Sequence, residues 1–346
     1  MNPARVMVCD DSVAIRGAIS RILEADPDVR VVAKVANGQL AVDELKRTKA
    51  DVVVLDIEMP VMDGMTALPL LLRADPGVRI IMASTLTTRG ADIAMRALRL
   101  GAADYVPKPS SIGSVGDDRF QRELLEKVKG LARLRQRPTR ATALPALRPA
   151  PLLPPRILAI GSSTGGPQAL FTLVQGLGRQ IGVPVLLTQH MPATFTPILA
   201  EHIGRLGGMP CAEAKDGEML TQGRIYVAPG DKHLLVDGRA GALRARLTTD
   251  KPENFCRPSV DPMLRSACAA TDGRVLIAML TGMGHDGLAG TRQVIEAGGC
   301  AIAQDETTSV VWGMPGAIAQ AGLCHAVLPL PAMAAKLRDI LKAPRA

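Results

Sequence analysis

Residues 157–170 read ILAIGSSTGGPQAL: an apolar run of strand length, a turn of small residues, then the first turn of a helix. Such an uninterrupted apolar run fits a strand buried on both faces, as in parallel sheets covered by helices. The turn puts Ser162, Ser163 and Thr164 at the helix N-terminus, where backbone N–H groups lack intrahelical partners and can hold negative charge. Taken alone, a helix cap or a phosphate-binding glycine loop is the plainer reading of this segment.

Two further segments alter that reading. VPVLLTQHMPATF (183–195) puts His190 just past a second strand, Val183–Thr188, and VLIAMLTGMGHDG (275–287) puts Asp286 in a glycine-rich turn past a third, Val275–Leu280. In a parallel sheet these loops leave from one rim, so residues 27 and then 96 positions apart can meet. A serine hydroxyl is a weak nucleophile at neutral pH; it needs an imidazole to take its proton and a carboxylate to fix the imidazole's tautomer. His190 and Asp286 can fill those roles. The oxyanion would be held by backbone N–H groups near the helix or in the 281–287 turn, where Gly282, Gly284 and Gly287 allow close approach. The order Ser, His, Asp and the residues around Ser163 both differ from the Gly-x-Ser-x-Gly elbow of α/β-hydrolases. Cys300–Gln304 adds another strand, and RIYVAPGDKHLLV (224–236) predicts a hairpin about its Pro-Gly-Asp turn.

Upstream, residues 131–156 hold six prolines and six arginines but no acid, a composition that favours an extended linker. A chain of 346 residues exceeds what one core serves, and the expected division is 1–130, a linker at 131–156, and 157–346. The linker carries most of the formal charge of +8 and leaves +2 for everything else. With only seven aromatic residues, this argues against a nucleic-acid partner. Met1 opens no basic-then-apolar leader and no apolar run reaches about 18 residues, so a cytoplasmic protein without membrane insertion is expected. The six cysteines are scattered without a C-x-x-C pair and read as buried free thiols.

The N-terminal region alternates strands (Val6–Cys9, Val31–Val35, Val52–Leu55, Arg79–Ala83, Asp104–Val106) with amphipathic helices. Ile15, Ile19, Ile22 and Leu23 share one helical face, and Phe120, Leu124, Val128 and Leu131 share another. The fold class is therefore α/β with two doubly wound domains: a five-stranded parallel sheet of the flavodoxin-like kind, and a Rossmann-like, mostly parallel sheet with a β-hairpin. Asp10 and Asp11 follow the first strand, Asp56 ends the third, Ser84 the fourth, and Lys108 follows the fifth, so all five gather at the edge where doubly wound sheets bind ligands. Three carboxylates so placed repel one another unless a hard cation such as Mg²⁺ sits among them. An oxygen of Asp56 could then attack a phosphoryl group whose oxygens Lys108 and Ser84 hold. Thr85 is the rival hydroxyl, set aside because Ser84 directly follows the strand, while Asn37 and Glu58 read as turn residues.

With these residues in order, and separations of 46 and 52 positions from Asp10 to Asp56 to Lys108, residues 1 to 125 resemble a response-regulator receiver domain. The resemblance implies phosphorylation at Asp56 by a sensor histidine kinase, with Mg²⁺ as the metal. It further implies Tyr105 as the ring that moves with Ser84, and the Glu58 backbone carbonyl as a metal ligand. The remainder resembles the catalytic domain of the chemotaxis protein-glutamate methylesterases through Ser-Ser-Thr-Gly-Gly-Pro, Thr-Gln-His-Met-Pro, Thr-Gly-Met-Gly-x-Asp-Gly and Trp-Gly-Met-Pro at 312–315. That match implies Ser163 as nucleophile, His190 as general base, Asp286 as its orienting acid, Thr164 as a second contact to His190, and the Met283 N–H as an oxyanion donor. It implies hydrolysis of glutamate methyl esters on methyl-accepting chemoreceptors, together with glutaminase activity, with no cofactor for the hydrolysis and a monomeric enzyme. Ser162 departs from the alanine frequent in that family, and His285 is expected to be exposed. His202, His233 and His325 are expected to be structural.

Control would follow from the receiver: phosphorylation is expected to raise activity, and deletion of residues 1–130 to relieve inhibition in part. Two rival classes compete. A DNA-binding response regulator would need a helix-turn-helix pattern, which the strands and glycine turns of 157–346 do not offer. A nucleotide-binding module at Gly165-Gly166 would need a Walker lysine or a distal ribose-binding acid, and neither follows.

Overall fold

In the N-terminal unit, strands and helices alternate strictly: β1 (Ala4–Cys9), α1 (Val13–Glu24), β2 (Val29–Val35), α2 (Gly38–Arg47), β3 (Val52–Asp56), α3 (Gly64–Ala74), β4 (Arg79–Ser84), α4 (Thr88–Arg99), β5 (Asp104–Pro107) and α5 (Asp118–Gln136). The computed structural model describes residues 3–84, 87–108, 118–136, 145–151, 153–179, 181–239 and 241–342. Thr85, Pro109 and linker residues 137–144 lie outside them. The five strands run in the order β2-β1-β3-β4-β5, every neighbouring pair parallel. All of β3 is buried, which is why VVVLD lacks polar alternation. Ser12, Asn37, Asp63 and Thr87 cap α1 to α4, each side chain accepting a backbone N–H of the first turn. Each such cap stabilises its helix by about 1 kcal/mol.

The apolar stripes of α1 and α5 face inward: Ile19, Leu23, Phe120, Leu124, Val128 and Leu131 are all buried. Helix α5 runs past residue 130 because its stripe continues through buried Ala132, and because Arg135 binds the Ala50 carbonyl and pairs with Asp75 at 2.7 Å. The Pro- and Arg-rich stretch is therefore helical at its start. The chain divides into two units at residues 141 and 142. Arg148 belongs to the second, where its N–H donates to the Cys324 carbonyl and its guanidinium to that of Gly322.

The second unit contains β6 (Ile157–Ser162), α6 (Gly166–Leu177), β7 (Val185–Gln189), α7 (Thr196–Gly207), β8 (Cys211–Glu213), β9 (Ile225–Val227), β10 (His233–Asp237), β11 (Arg244–Thr248), α8 (Val260–Ala270), β12 (Val275–Met279), α9 (Leu288–Glu296), β13 (Cys300–Gln304), α10 (Met314–Gln320), β14 (Ala326–Leu328) and α11 (Leu330–Lys342). Seven strands form one sheet in the order β14-β13-β12-β6-β7-β9-β8, all pairs parallel. Leu158, Ile160, Leu186, Leu187, Leu276 and Ile277 are fully buried in its centre. Each contributes about 1.5–3 kcal/mol of hydrophobic stabilisation.

The hairpin expected at 224–236 does not form. Ile225–Val227 instead joins the large sheet between β7 and β8, and His233–Asp237 pairs antiparallel with Arg244–Thr248 in a separate two-stranded sheet. The reason lies in burial: Ile225, Tyr226 and Val227 are all buried, as an interior strand requires, so both of their edges are already paired. Pro229 and Gly230 carry the chain away, and Gly230 passes so close to Ala193 that a Cβ there would meet its backbone nitrogen at 2.2 Å. None of the described helices is long and apolar enough to cross a membrane.

Candidate active site

The strand order decides which loops meet. β12, β6 and β7 are adjacent and parallel, so the loops after them carry Asp286, Ser163 and His190 to neighbouring positions on one rim. Because β6 leads to β7 on one side and pairs with β12 on the other, the strand order reverses here, the place where open α/β sheets bind their ligands.

Ser163 sits in the turn between β6 and α6. Its N–H donates to the Thr281 carbonyl at 3.0 Å, and its carbonyl accepts from Gly166 N at 2.7 Å and Gln189 Nε2 at 2.9 Å. Gly165 has φ of +73° at this corner, a left-handed conformation that a Cβ would strain. The adjacent hydroxyls differ in kind. Ser162 is fully buried with its Oγ donating to Gln189 Oε1 at 2.7 Å, whereas Ser163 is half-buried and reaches the rim.

His190 and Asp286 are in direct contact, the ring Nε2 donating to Asp286 Oδ2 at 2.7 Å. The carboxylate is buried and heavily solvated by protein donors: Asn254 Nδ2, Ser259 Oγ and Asp261 N reach Oδ1, and Val260 N reaches Oδ2 at 2.7 Å. Burial alone would push its pKa up, but the ring, the Val260 N–H and the Ser259 hydroxyl hold it well below the usual carboxylate range. For the imidazole, burial alone would lower the pKa. The facing Cys256 sulfur and the Asp286 carboxylate outweigh it and hold the ring up to about 10.

The other ring nitrogen, Nδ1, lies 3.3 Å from Cys256 Sγ. Among the described residues, neither Ser163 Oγ nor Thr164 Oγ1 makes a hydrogen bond to the ring. Thr164 is buried, and its carbonyl accepts from Thr281 Oγ1 at 2.9 Å. The Met283 N–H has no acceptor among the described residues. Its turn is tied down by Gly282, whose N–H donates to Val311 O and whose carbonyl accepts from Gly313 and Met314. His285 is exposed. His202 stacks on Phe171, and His325 Nδ1 contacts the Arg148 carbonyl. His233 supports the site: its Nδ1 accepts from Ser259 N at 3.2 Å, so its Nε2 carries the proton and donates to Lys251 O.

The sequence reading did not find Asn254, Cys256, Ser259 or Asp261. Arg-Pro-Ser-Val-Asp at 257–261, with a serine and an acid opening an apolar helix, was the available signal for Ser259 and Asp261. Asn254 and Cys256 gave none. The expectation of buried thiols fits Cys9, Cys300 and Cys324, whose pKa values burial pushes up to about 12, but not the half-buried Cys211, Cys256 and Cys268.

In the first unit Asp10, Asp11 and Asp56 cluster at the sheet edge, with ligand oxygens all within 4.8 Å of one another. Lys108 Nζ lies 2.7 Å from both Asp10 Oδ2 and Asp56 Oδ1. Burial pushes the Asp56 carboxyl up, with the Lys108 ammonium opposing, while the two acids raise the Lys108 pKa against its burial. Asp10 Oδ2 is buried with an ion pair but no well-directed hydrogen bond. Three carboxylates so close together, one with a buried oxygen short of a hydrogen bond, fit a hard divalent cation. Ser84 is buried at the end of β4, and its carbonyl accepts from Lys108 N at 2.6 Å. Tyr105 is buried, with Lys127 Nζ 4.8 Å from its ring centre, and the Glu58 side chain is exposed, outside the carboxylate cluster. Gly64 packs against Asp56, where a Cβ would fall 2.0 Å from the Asp56 carbonyl oxygen.

Comparison with known proteins bears on both units. Residues 158–337 match the family described as CheB methylesterase, and residues 6–117 match the response regulator receiver domain. The protein-glutamate methylesterase/protein-glutamine glutaminase of group 2 operon of Rhodospirillum centenum is 57% identical, covering 95% of this chain and 92% of that protein. The protein-glutamate methylesterase/protein-glutamine glutaminase of Azospirillum brasilense is also 57% identical, covering 95% of this chain and 90% of that one. Among solved structures, the Thermotoga maritima CheB methylesterase catalytic domain aligns with a TM-score of 0.53 and 36% identity over 54% of this chain and all of that one. The chain therefore belongs to the CheB methylesterase family, with a response regulator receiver domain ahead of its catalytic domain.

Proposed function

We infer that this protein hydrolyses glutamate methyl esters on chemoreceptors, releasing methanol, and deamidates receptor glutamines by the same acyl-transfer chemistry, under control of phosphorylation at Asp56. Ser163 is the nucleophile, His190 the general base and Asp286 its orienting acid. The observation that carries the assignment is the contact of half-buried His190 with buried Asp286 at 2.7 Å, beside a half-buried Ser163 on the adjoining strand end. Ser162 is a poorer candidate because its hydroxyl is buried against Gln189.

In the proposed sequence, Ser163 Oγ attacks the ester carbonyl as its proton passes to His190. The imidazolium, held by Asp286, returns that proton to the leaving methoxide, and water then resolves the acyl-enzyme through the same ring. The developing oxyanion is within the reach expected of the Met283 N–H and the start of α6. Thr164 shapes the turn. In the receiver, a Mg²⁺ ion held by Asp10, Asp11, Asp56 and the Glu58 carbonyl would neutralise phosphoryl charge during transfer from a sensor histidine kinase. Lys108 and Ser84 then hold the phosphoryl oxygens, and Tyr105 follows Ser84. We assign the protein to the cytoplasm, where its kinase and receptor tails lie, with a receiver that extends through α5 to Gln136 and a catalytic domain that takes in Arg148.

Methanol release from methylated receptor fragments tests the assignment. Ser163→Ala abolishes it and Ser162→Ala does not; retention of activity by Ser163→Ala overturns the reading.

A further inference from the structure

A ring that serves as general base needs one nitrogen held by the orienting acid and the other free for the nucleophile's proton. Here Asp286 holds Nε2, so the working nitrogen is Nδ1, and that nitrogen is taken by Cys256 Sγ at 3.3 Å. The contact occupies Nδ1 in either protonation arrangement. A thiol donates S–H to the Nδ1 lone pair, and a thiolate accepts Nδ1–H from the imidazolium. In neither case can Nδ1 accept a proton from Ser163.

The placement of the sulfur is built into the chain. Glu253 and Cys256 exchange backbone hydrogen bonds of 3.1 and 2.9 Å, closing a turn whose central residues Asn254 and Phe255 have φ of +52° and +62°. Left-handed backbone at a bulky residue such as phenylalanine is disfavoured and persists where surrounding contacts hold it. Asn254 supplies such contacts, donating to both Asp261 and Asp286 at 2.9 Å. The turn that braces the orienting acid therefore also delivers the sulfur to the base.

We propose that Cys256 is a positioning residue that competes with Ser163 for His190 Nδ1, so that the hydrolase rests with its base occupied and works only when the ring leaves the sulfur for the serine hydroxyl. This rests on the Ser163 and His190 assignment above. On release, any proton shared on Nδ1 returns to the sulfur as S–H. The neutral Nδ1 then takes the Ser163 proton as the Oγ–carbon bond forms and the carbonyl π pair moves onto oxygen, and the ring becomes an imidazolium whose Nε2–H stays on Asp286. The titratable groups around the ring are Cys256 and Asp286 in contact, with Asp261, Glu253, His233 and Arg265 behind them.

The test uses the full-length protein, wild type and with Cys256→Ala or Cys256→Ser. The His190 ring is titrated by NMR, and kcat and kcat/KM for methanol release are measured from about pH 5 to about pH 10. Cys256→Ala frees Nδ1, so the plateau of kcat/KM rises. The ring midpoint shifts with loss of the contact, downward where a thiolate accepted Nδ1–H and upward where a thiol donated to Nδ1, and the acid limb of kcat/KM follows it. Cys256→Ser shifts the midpoint less and its rate rises less, because the hydroxyl still occupies Nδ1. An unchanged midpoint in both variants overturns the proposal, as does a shifted midpoint with no gain in rate. If the alanine variant does not fold, the serine variant carries the test alone. The ring titration does not depend on which hydroxyl is the nucleophile, so failure of the Ser163 assignment is read separately.

Discussion

Replacing Asp286 by asparagine changes little in shape and everything in proton bookkeeping at the site. The carboxylate accepts five hydrogen bonds, three on Oδ1 and two on Oδ2. An amide keeps one acceptor oxygen, and the orientation that loses least leaves it facing Asn254, Ser259 and Asp261 N. Its NH₂ then faces the Val260 N–H and His190 Nε2, so Nε2 must give up its proton and become an acceptor. The neutral ring now carries its hydrogen on Nδ1, the nitrogen that must receive the Ser163 proton. Loss of the right tautomer together with the charge that stabilises the imidazolium costs about 10⁴-fold in kcat, roughly 5.4 kcal/mol of barrier. KM should change little, because no substrate contact is removed. The assay is methanol release from a methylated receptor fragment under saturating substrate, with circular dichroism to show that the variant is folded. A folded Asp286→Asn enzyme retaining kcat within about tenfold of wild type would refute the reasoning.

Further outcomes follow from the same geometry. At Gly282 a Cβ would lie 2.5 Å from Met314 Sδ and 2.9 Å from Ser163 Cβ, so Gly282→Ala displaces the nucleophile and lowers kcat by about 10²-fold, read in the same assay. The folded-state pKa of His190 is held at about 10 against an ordinary 6.5, so its stabilising contribution is complete below about pH 6.5 and is lost as pH rises through about 10. Asp286, held below its ordinary value, contributes at neutral pH and loses that contribution as pH falls into the acid range. Urea midpoints of the full chain should therefore fall at both ends, and a midpoint flat between about pH 7 and about pH 10 would contradict the first part. Asp56→Asn abolishes transfer of labelled phosphate from the phosphorylated kinase. Chelating Mg²⁺ does the same to the wild type but leaves basal methanol release by the unphosphorylated chain intact.

Much of the architecture was legible because buried parallel strands have an unmistakable composition: VVVL, ILAIG and VLIAM are free of polar side chains, and each lies in a strand buried along its whole length. The polar residues that end such strands, Asp56, Ser163 and His190, stand out against that background. The hairpin was misassigned for the same reason that made the strands easy. Ile225–Val227 and His233–Asp237 look alike as short apolar runs, and only their neighbours in space decide that one enters the seven-stranded sheet and the other pairs with Arg244–Thr248. Cys256 was invisible for a different cause. Its importance comes from a turn with two left-handed residues that delivers it to a ring 66 positions away, and neither Asn254 nor Phe255 announces that conformation as a glycine would.

The account rests on Ser163 being the atom that forms the covalent bond to substrate. A serine-directed fluorophosphonate followed by peptide mass spectrometry tests this directly. The account predicts a single adduct on Ser163, matching the loss of methanol release, with Ser162 unmodified. Loss of activity with Ser163 unlabelled, or with the adduct on Ser162 or Cys256, would contradict it.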